Sequence, residues 1–387
     1  MNETFFAPCP RGLENILMDE LALSGAVTPQ VLSGGVSFQG DLSLAYRINL
    51  ESRLASRVLW RIAQRTYQNE HDLYTLAYDI HWTRYFPAER TLRIDLTATR
   101  SPLTSLSFAT LRIKDAICDR FRAEGQSRPS IDKQSPDVRV YVYLTDKEAV
   151  LYLDTSGEAL FKRGYRQHSE EAPLRENLAA GLLMLTGWEP DIPLLDPMCG
   201  SGTIAIEAAL IAARQAPGLH RSFGFQKLNW FDGPTWQRMK QKARDSVRSA
   251  PETPTILASD ISEDAIKRAK TYATHAKVAD RITFSTADVR HREAPAPSGI
   301  WLTNPPYGVR LEDSETLAAL YPALGVTLKK RFADWNAWFF SGDLQLPKLI
   351  GLKPERRIPL FNGALDCRLY GFKMVKGSMR RVKRVPS

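Results

Sequence analysis

The stretch Leu194-Leu195-Asp196-Pro197-Met198-Cys199-Gly200-Ser201-Gly202-Thr203-Ile204-Ala205-Ile206-Glu207 constrains this chain more than any other. Apolar residues ending in an acid read as the buried end of a strand, and Gly200 and Gly202 turn the backbone into a helix predicted over residues 203–213. Such a turn offers the unbonded N–H groups of the helix's first turn to a ligand, and the glycines let that ligand approach the backbone. Alone the turn is ambiguous, because plain connectors use the same residues.

Three later stretches extend the pattern. Residues 256–261 read as a strand ending in Asp260, followed by a helix predicted over 263–277; residues 282–289 read as a strand ending in another acid, Asp288. Residues 299–303 form a short apolar strand that delivers Asn304-Pro305-Pro306-Tyr307-Gly308 at its end. Strands alternating with helices predict an α/β domain with a mostly parallel sheet, and such sheets bind ligands at the carboxyl ends of their strands. Asp260 suits the hydroxyls of a ribose and Asp288 an adenine amino group. Either could instead be a helix N-cap, but four consecutive strand tips with suitable chemistry argue for a nucleoside site. The D-x-x-x-G-x-G spacing lacks the third glycine of the dinucleotide fingerprint.

This half resembles the class I S-adenosylmethionine-dependent methyltransferases, with matching motifs through residues 172–375. The resemblance implies a Rossmann-like domain, a mostly parallel seven-stranded sheet with helices on both faces, and S-adenosylmethionine as cofactor. It places Asp196 in the cofactor site and wraps Pro197, Met198, Cys199, Gly200, Ser201, Gly202 and Thr203 around the methionine portion. Asp260, with Ile261 beside it, takes the ribose, Asp288 with Val289 the adenine, and Leu174 to Asn177 close over the cofactor. Asn304, Pro305, Pro306 and Tyr307 form the catalytic tip. Asn-Pro-Pro-Tyr suits transfer to an exocyclic amine, a poor nucleophile because its lone pair is conjugated into the ring. If the Asn304 side-chain oxygen and the Pro305 carbonyl accept the amine's hydrogens, the nitrogen is pinned and its lone pair localised. Tyr307 can stack on a flipped base. Asn304 cannot ionise, so its role is hydrogen-bond acceptance. No cysteine neighbours the motif, which argues against covalent cysteine catalysis.

The first half reads as two small α+β units. A Pro/Gly signal at Pro8-Cys9-Pro10-Arg11-Gly12 precedes apolar residues at helical spacing from Leu13 to Leu21; residues 31–38 read as a strand entered through Ser33-Gly34-Gly35, and 42–50 as a helix. Arg53, Arg57, Arg61 and Arg65 recur every four residues, but the β-branched and aromatic neighbours favour a strand over 57–67. Alternation predicts strands at 91–99, 138–144 and 149–154, with a helix over 107–123. The strand order, with Cys9-Pro10-Arg11-Gly12-Leu13-Glu14 and Ala55-Ser56-Arg57-Val58-Leu59, resembles a ferredoxin-like unit followed by a THUMP domain, which implies RNA binding. Residues 216–225 and 362–370 resemble the RlmL-type branch, whose members make N2-methylguanine in large-subunit ribosomal RNA. In some bacteria that activity is the front half of a fusion with a second methyltransferase; the second half is not in this sequence, and its activity is expected to be missing.

The expected organisation is a ferredoxin-like unit over 1–52, a THUMP domain over 53–160, a linker over 161–172, a methyltransferase domain over 173–376 that opens on a helix near Pro173, and a basic tail over 377–387. Residues 1–165 hold 20 Lys and Arg against 20 Asp and Glu, whereas residues 368–387 hold 7 against none. The excess of the formal charge of +9 therefore lies near the C-terminus, where Lys373, Lys376, Arg380, Arg381, Lys383 and Arg384 suit phosphate binding or simple solvation. RNA contact by the first half must come from local clustering. No apolar run approaches the ~20 residues of a membrane helix, and no signal peptide opens the chain, so a cytoplasmic protein without membrane contact is expected. The four cysteines lie far apart and suggest neither disulfide nor metal.

The expected activity is S-adenosylmethionine-dependent methylation of a guanine N2 amine in structured RNA, 23S rRNA first and tRNA second. DNA adenine methylation and a non-catalytic RNA-binding assembly factor are the alternatives.

Overall fold

A computed structural model describes residues 2–166, 174–251, 253, 255–306 and 313–376, the side chains of 313–318 excepted. Contacts divide the chain into two units, one of Met1–Cys9, Glu14–Arg163 and Ala216–Asp245, the other of Pro10–Leu13, Gly164–Gln215 and Ser246–Ser387.

The first unit begins with β1 (Glu3–Pro8), α1 (Glu14–Leu23), β2 (Val27–Leu32), β3 (Gly35–Gly40), α2 (Leu42–Glu51) and β4 (Leu59–Thr66). It continues through α3 (Glu70–Tyr78), β5 (Leu92–Ala98), α4 (Leu106–Ala123), β6 (Val138–Leu144) and β7 (Glu148–Asp154). The chain then supplies α5 (Glu176–Thr186), β8 (Leu194–Asp196) and α6 (Thr203–Ala212) to the second unit, and α7 (Gly233–Asp245) to the first. The second unit is completed by β9 (Ile256–Asp260), α8 (Glu263–His275), β10 (Ile282–Thr286), β11 (Gly299–Thr303), α9 (Asp313–Arg331), β12 (Trp335–Ser341), α10 (Leu346–Ile350), β13 (Arg356–Asn362) and β14 (Leu365–Lys373).

In the first unit one seven-stranded sheet runs in the order β2-β3-β1-β4-β7-β6-β5, with β5 and β6 parallel and the other neighbours antiparallel. The alternation in β6 sets its two faces: Val138, Val140, Val142 and Leu144 are buried, and Arg139, Tyr141 and Tyr143 point the other way. The run 31–38, expected as a strand entered through the turn at Ser33-Gly34-Gly35, spans a hairpin, because Gly34 at φ +79 turns the chain between Leu32 and Gly35. Arg61 and Arg65 lie on a strand, as the β-rich composition of 57–67 predicts.

Residues 216–245, read from sequence as part of the second half, cluster with the first unit. The reason is aromatic: Tyr46 of α2 stacks on Phe225 at 4.5 Å and on Trp230 at 5.6 Å, and Trp236 meets Phe225 edge-on at 5.1 Å. The Tyr46 hydroxyl accepts from the Asp232 amide at 2.8 Å and donates to the Trp230 carbonyl at 3.2 Å. A tyrosine buried among rings is thus satisfied at its polar end. Nearby, the buried Asn49 amide donates to the Ala45 carbonyl and the Thr155 hydroxyl, each at 2.8 Å, and its oxygen accepts from Ser156 Oγ at 2.6 Å.

In the second unit the sheet order is β10-β9-β8-β11-β12-β14-β13, with β10 to β12 parallel and β14 antiparallel to both its neighbours. All five residues of β11 are buried, as a strand covered on both faces requires. Trp301 of β11 meets Phe332 edge-on at 4.8 Å, and Phe332 meets Trp335 at 5.4 Å, anchoring the half of the sheet beyond β11. The helix expected to open near Pro173 begins at Glu176; Pro173 lies outside the described residues, as does the tail beyond Lys376.

The aromatic cluster gives a direct test. Phe225→Ala empties a fully buried ring site in the first unit, which should cost about 3–5 kcal/mol and lower the urea midpoint accordingly. Binding of S-adenosylhomocysteine, measured by calorimetry below the transition, should be retained.

Candidate active site at the tips of the central strands

The strand order reverses at β8: β9 and β10 lie to one side and β11 to the other, so the neighbouring tips of β8 and β11 open a crevice at the carboxyl end of the sheet. Asp196, 1% exposed, ends β8, and the Thr303 hydroxyl at the end of β11 donates to its Oδ1 at 2.9 Å. Burial pushes the Asp196 carboxyl up to about 7, with the Thr303 and Met198 donors opposing and the Asp260 charge adding to the rise.

Beyond Asp196 the chain makes a tight turn. The Cys199 amide donates to the Ser259 carbonyl at 2.9 Å, the Gly202 amide to the Cys199 carbonyl at 2.8 Å, and the Gly200 amide to Asp260 Oδ2 at 2.9 Å. Gly202 sits at φ +78, and a Cβ there would lie 2.9 Å from the Ala269 Cβ of α8, so this position requires glycine on two counts. At Gly200, φ +52, a Cβ would meet nothing within 4 Å. The turn is therefore packed on one side and open on the other. Cys199 is buried, and burial pushes its thiol far above the usual range; the four cysteines are all buried and none is in a disulfide.

Asp260 ties the β9 tip to that turn, since its carboxylate also accepts from the Ser262 amide at 3.0 Å. Ile261 beside it is 68% exposed, a large apolar side chain left uncovered at the crevice. Asp288 departs from its expected setting. β10 ends at Thr286, and Asp288 caps the short turn Val289–His291, accepting from the Arg290 amide at 2.9 Å. The Arg290 guanidinium contacts it as well, at 2.6 Å from Nη2 and 2.9 Å from Nε, and holds the carboxyl below its usual range. The carboxylate read from sequence as an acceptor for adenine thus already has a cation on it. Val289 is buried.

At the β11 tip, Asn304 Oδ1 is a buried acceptor without a hydrogen-bond partner among the described residues. The Pro306 carbonyl accepts from the buried Tyr321 hydroxyl at 2.9 Å, which fixes the strand exit; Pro305 is buried, and Tyr307 lies outside the described residues. Leu174 and Asn177 are buried at the start of α5. Arg166, which the sequence reading passed over, joins this segment to the glycine turn. Its Nη2 donates to the Leu174 carbonyl at 3.0 Å and to the Thr203 hydroxyl, and its Nε lies 3.4 Å from Glu176 Oε1. Its sequence signal was its place in a basic linker beside Tyr165. Among the described residues no cluster of His, Cys, Asp or Glu could hold a metal ion, and no helix is long and apolar enough to cross a membrane.

A parallel sheet with this reversal, a glycine turn after the first strand and, just beyond the fourth, an acceptor without a partner among the described residues define a Rossmann-like methyltransferase domain. Residues 163–371 match the RMKL-like methyltransferase domain, residues 67–154 a THUMP domain and residues 4–59 the RlmL ferredoxin-like domain. The chain belongs to the RMKL-like methyltransferase family. A protein named Ribosomal RNA large subunit methyltransferase K/L, from Syntrophotalea carbinolica, is 40% identical over 383 residues, covering 96% of this chain and 54% of the relative. The chain therefore spans about half the length of that curated relative. Among solved structures, SMU.472, described as a methyltransferase complexed with SAH, superposes with a TM-score of 0.88 at 27% identity over 97% of this chain and 99% of its own. A protein described as a predicted N6-adenine-specific DNA methylase from Listeria monocytogenes gives 0.87 at 31% identity over 97% of both chains.

S-adenosylmethionine is the cofactor of this domain, and the crevice fits it: the turn is open at Gly200, the carboxylate of Asp260 lies beside it, and Ile261 offers uncovered apolar surface for a flat ring. Asp196, with its carboxyl raised, contributes stability that is complete below the ordinary carboxylate range and is lost as pH rises through about 7. Urea midpoints of the cofactor-free chain should fall between about pH 4 and about pH 7, and Asp196→Asn should flatten that slope. Parallel profiles for the two proteins would count against the assignment.

Proposed function

We propose that this chain methylates the exocyclic N2 amine of a guanine in 23S rRNA. The carrying observation is the buried Oδ1 of Asn304 at the tip of β11, which has no hydrogen-bond partner among the described residues. An unsatisfied buried acceptor costs about 1–3 kcal/mol, and a donor from outside the chain removes that cost. An aromatic amine provides such a donor.

S-adenosylmethionine, when bound, supplies a methyl group made electrophilic by its sulfonium. The chain's own residues present the nucleophile. The target base, flipped from its stack, places its amine at Asn304 Oδ1 and the Pro305 carbonyl, which accept its two hydrogens. The nitrogen lone pair then lies out of conjugation and faces the methyl group. The Tyr321 contact to Pro306 holds the tip during this step. Asn304 takes no proton; the amine's surplus proton leaves to water after transfer. Stacking of the base on Tyr307 is part of the proposal.

The THUMP match and the rRNA methyltransferase relative support RNA and, within RNA, the large-subunit molecule. Guanine N2 rests on the RlmL likeness, since the tip chemistry serves an adenine amine equally well. tRNA is the second reading, because THUMP units also front tRNA enzymes.

Asn304→Ala should lower methyl transfer to rRNA by about 10²–10³-fold while leaving S-adenosylhomocysteine affinity unchanged. Mass-spectrometric mapping of rRNA and tRNA from a deletion strain should show one N2-methylguanine missing from 23S rRNA. Loss of a tRNA or an adenine modification instead would overturn the substrate assignment, and full activity of the variant would overturn the role of Asn304.

A further inference from the structure

The first unit's sheet has one face that its own helices leave open, and its residues fall into ordered rows. Across β5, β6, β7 and β4, the register places Asp95 beside Tyr141, Tyr141 beside Tyr152, and Tyr152 beside Arg61. The next row sets Thr97 beside Tyr143 and Tyr143 beside Val150, followed by Gln64. Phe6 of β1 lies on the same face one row along, opposite Leu59, with its ring 6.3 Å from that of Tyr152. The opposite face carries the core residues Val140, Val142, Leu151 and Leu153, all buried. Tyr143, in contrast, is 39% exposed, Arg61 is exposed, and Phe6, Tyr141 and Tyr152 are half-buried.

An open sheet face ordinarily carries small polar or charged side chains. Four aromatic rings on such a face forgo burial that they could have had. The charges are as informative. Arg93 and Arg139 stand directly opposite one another on neighbouring parallel strands, an arrangement that is destabilising unless a counter-charge lies close. One carboxylate, Asp95, serves both, at 2.7 Å from Arg93 and 3.5 Å from Arg139. Arg61 reaches only neutral groups among the described residues, Gln64 Oε1 at 2.9 Å and Thr4 Oγ1 at 3.1 Å. Two further carboxylates share the face, Glu148 accepting from Gln64 at 3.1 Å and Asp154 paired with Arg57 at 2.5 Å, so the guanidiniums of Arg57, Arg61, Arg93 and Arg139 still outnumber the carboxylates, although the 165-residue half to which the face belongs is electrically balanced.

Planar rings spaced across adjacent strands and flanked by arginines match what unstacked bases and their phosphates need. Ring faces accept bases of any sequence, and guanidiniums pair with phosphate oxygens. A duplex hides its base faces and gains nothing from exposed tyrosines. We propose that this face, centred on Tyr143, Tyr152 and Arg61, binds a single-stranded segment of the RNA substrate by base stacking. The inference rests on the reading of the substrate as RNA and adds to it the recognition surface and the strandedness.

The test uses the full chain and a fluorescein-labelled ten-nucleotide single-stranded RNA of mixed sequence, alone or annealed to its complement. Anisotropy should show tighter binding of the single strand. Tyr143→Ala and Tyr152→Ala should each weaken it about tenfold, whereas Tyr143→Phe and Tyr152→Phe, which keep the ring, should stay near wild type. Arg61→Ala should weaken binding and reduce its salt dependence. S-adenosylhomocysteine binding should be unchanged in all five variants, which shows that each is folded. Equal binding of duplex and single strand, alanine variants that bind like wild type, or phenylalanine variants as weak as the alanine ones would overturn the proposal. If the alanine variants bind and methylate rRNA normally, the sheet face is wrong and the methyltransferase reading stands. If the wild-type chain modifies no RNA, the reading beneath it fails.

Discussion

The hydrogen bond from Thr303 to Asp196 is the constraint on which the catalytic half depends. β8 and β11 are neighbours in space and 107 positions apart in the chain at this contact, and their tips must stay in register if the crevice between them is to keep its shape. A buried carboxylate costs free energy unless donors surround it. Thr303 supplies one donor and the Met198 amide another, so the strand tip and the turn that follows are fixed by the same group. Asp260 repeats the device one strand over, binding the Gly200 amide. Two carboxylates thus hold the glycine turn from two neighbouring strands, and the Asn304 acceptor lies one residue beyond the donor that Thr303 provides.

This economy explains which parts of the site were legible in the sequence. The acids 196 and 260 and the residues 200 and 202 have local signatures: an acid ending an apolar run, and glycines where φ is positive or a neighbouring helix leaves no room for a Cβ. Asp288 carried the same signature, but the structure gives it a different setting because its partner, Arg290, lies two residues on and caps the carboxylate that the strand pattern seemed to offer. Arg166 showed only its place in a basic linker beside Tyr165. Its function as a tie arises from the fold bringing Leu174 and Thr203 to one guanidinium, and a linker cation looks the same in sequence whether it is solvated or buried.

The fold shows the same division. Buried strands such as Gly299–Thr303 and alternating strands such as Val138–Leu144 declare themselves, because burial on two faces or one imposes a period on the residues. Residues 31–38 were read as a strand entered through the turn at Ser33-Gly34-Gly35; the strand before that turn, Val27–Leu32, went unread because its residues are mostly exposed and carry no burial period. The placement of residues 216–245 was not legible, since nothing within the segment names Tyr46, 186 positions from its bonding partner Asp232, as the ring on which it stacks. Aromatic side chains announce that a segment will be buried; they do not announce where.

Charge required the same shift from composition to arrangement. The first half, with equal numbers of acids and bases, gives no sign from its total that it meets a polyanion. In the structure, however, many of its carboxylates are already engaged: Asp154 with Arg57 at 2.5 Å, Asp79 with Arg65 at 2.9 Å, and Glu124 with Arg120 at 2.8 Å. Paired charges cancel at a distance, and what a ligand meets is the remainder. On the open sheet face that remainder is positive and lies beside aromatic rings, so a neutral sequence can carry a surface suited to RNA without any basic run to reveal it.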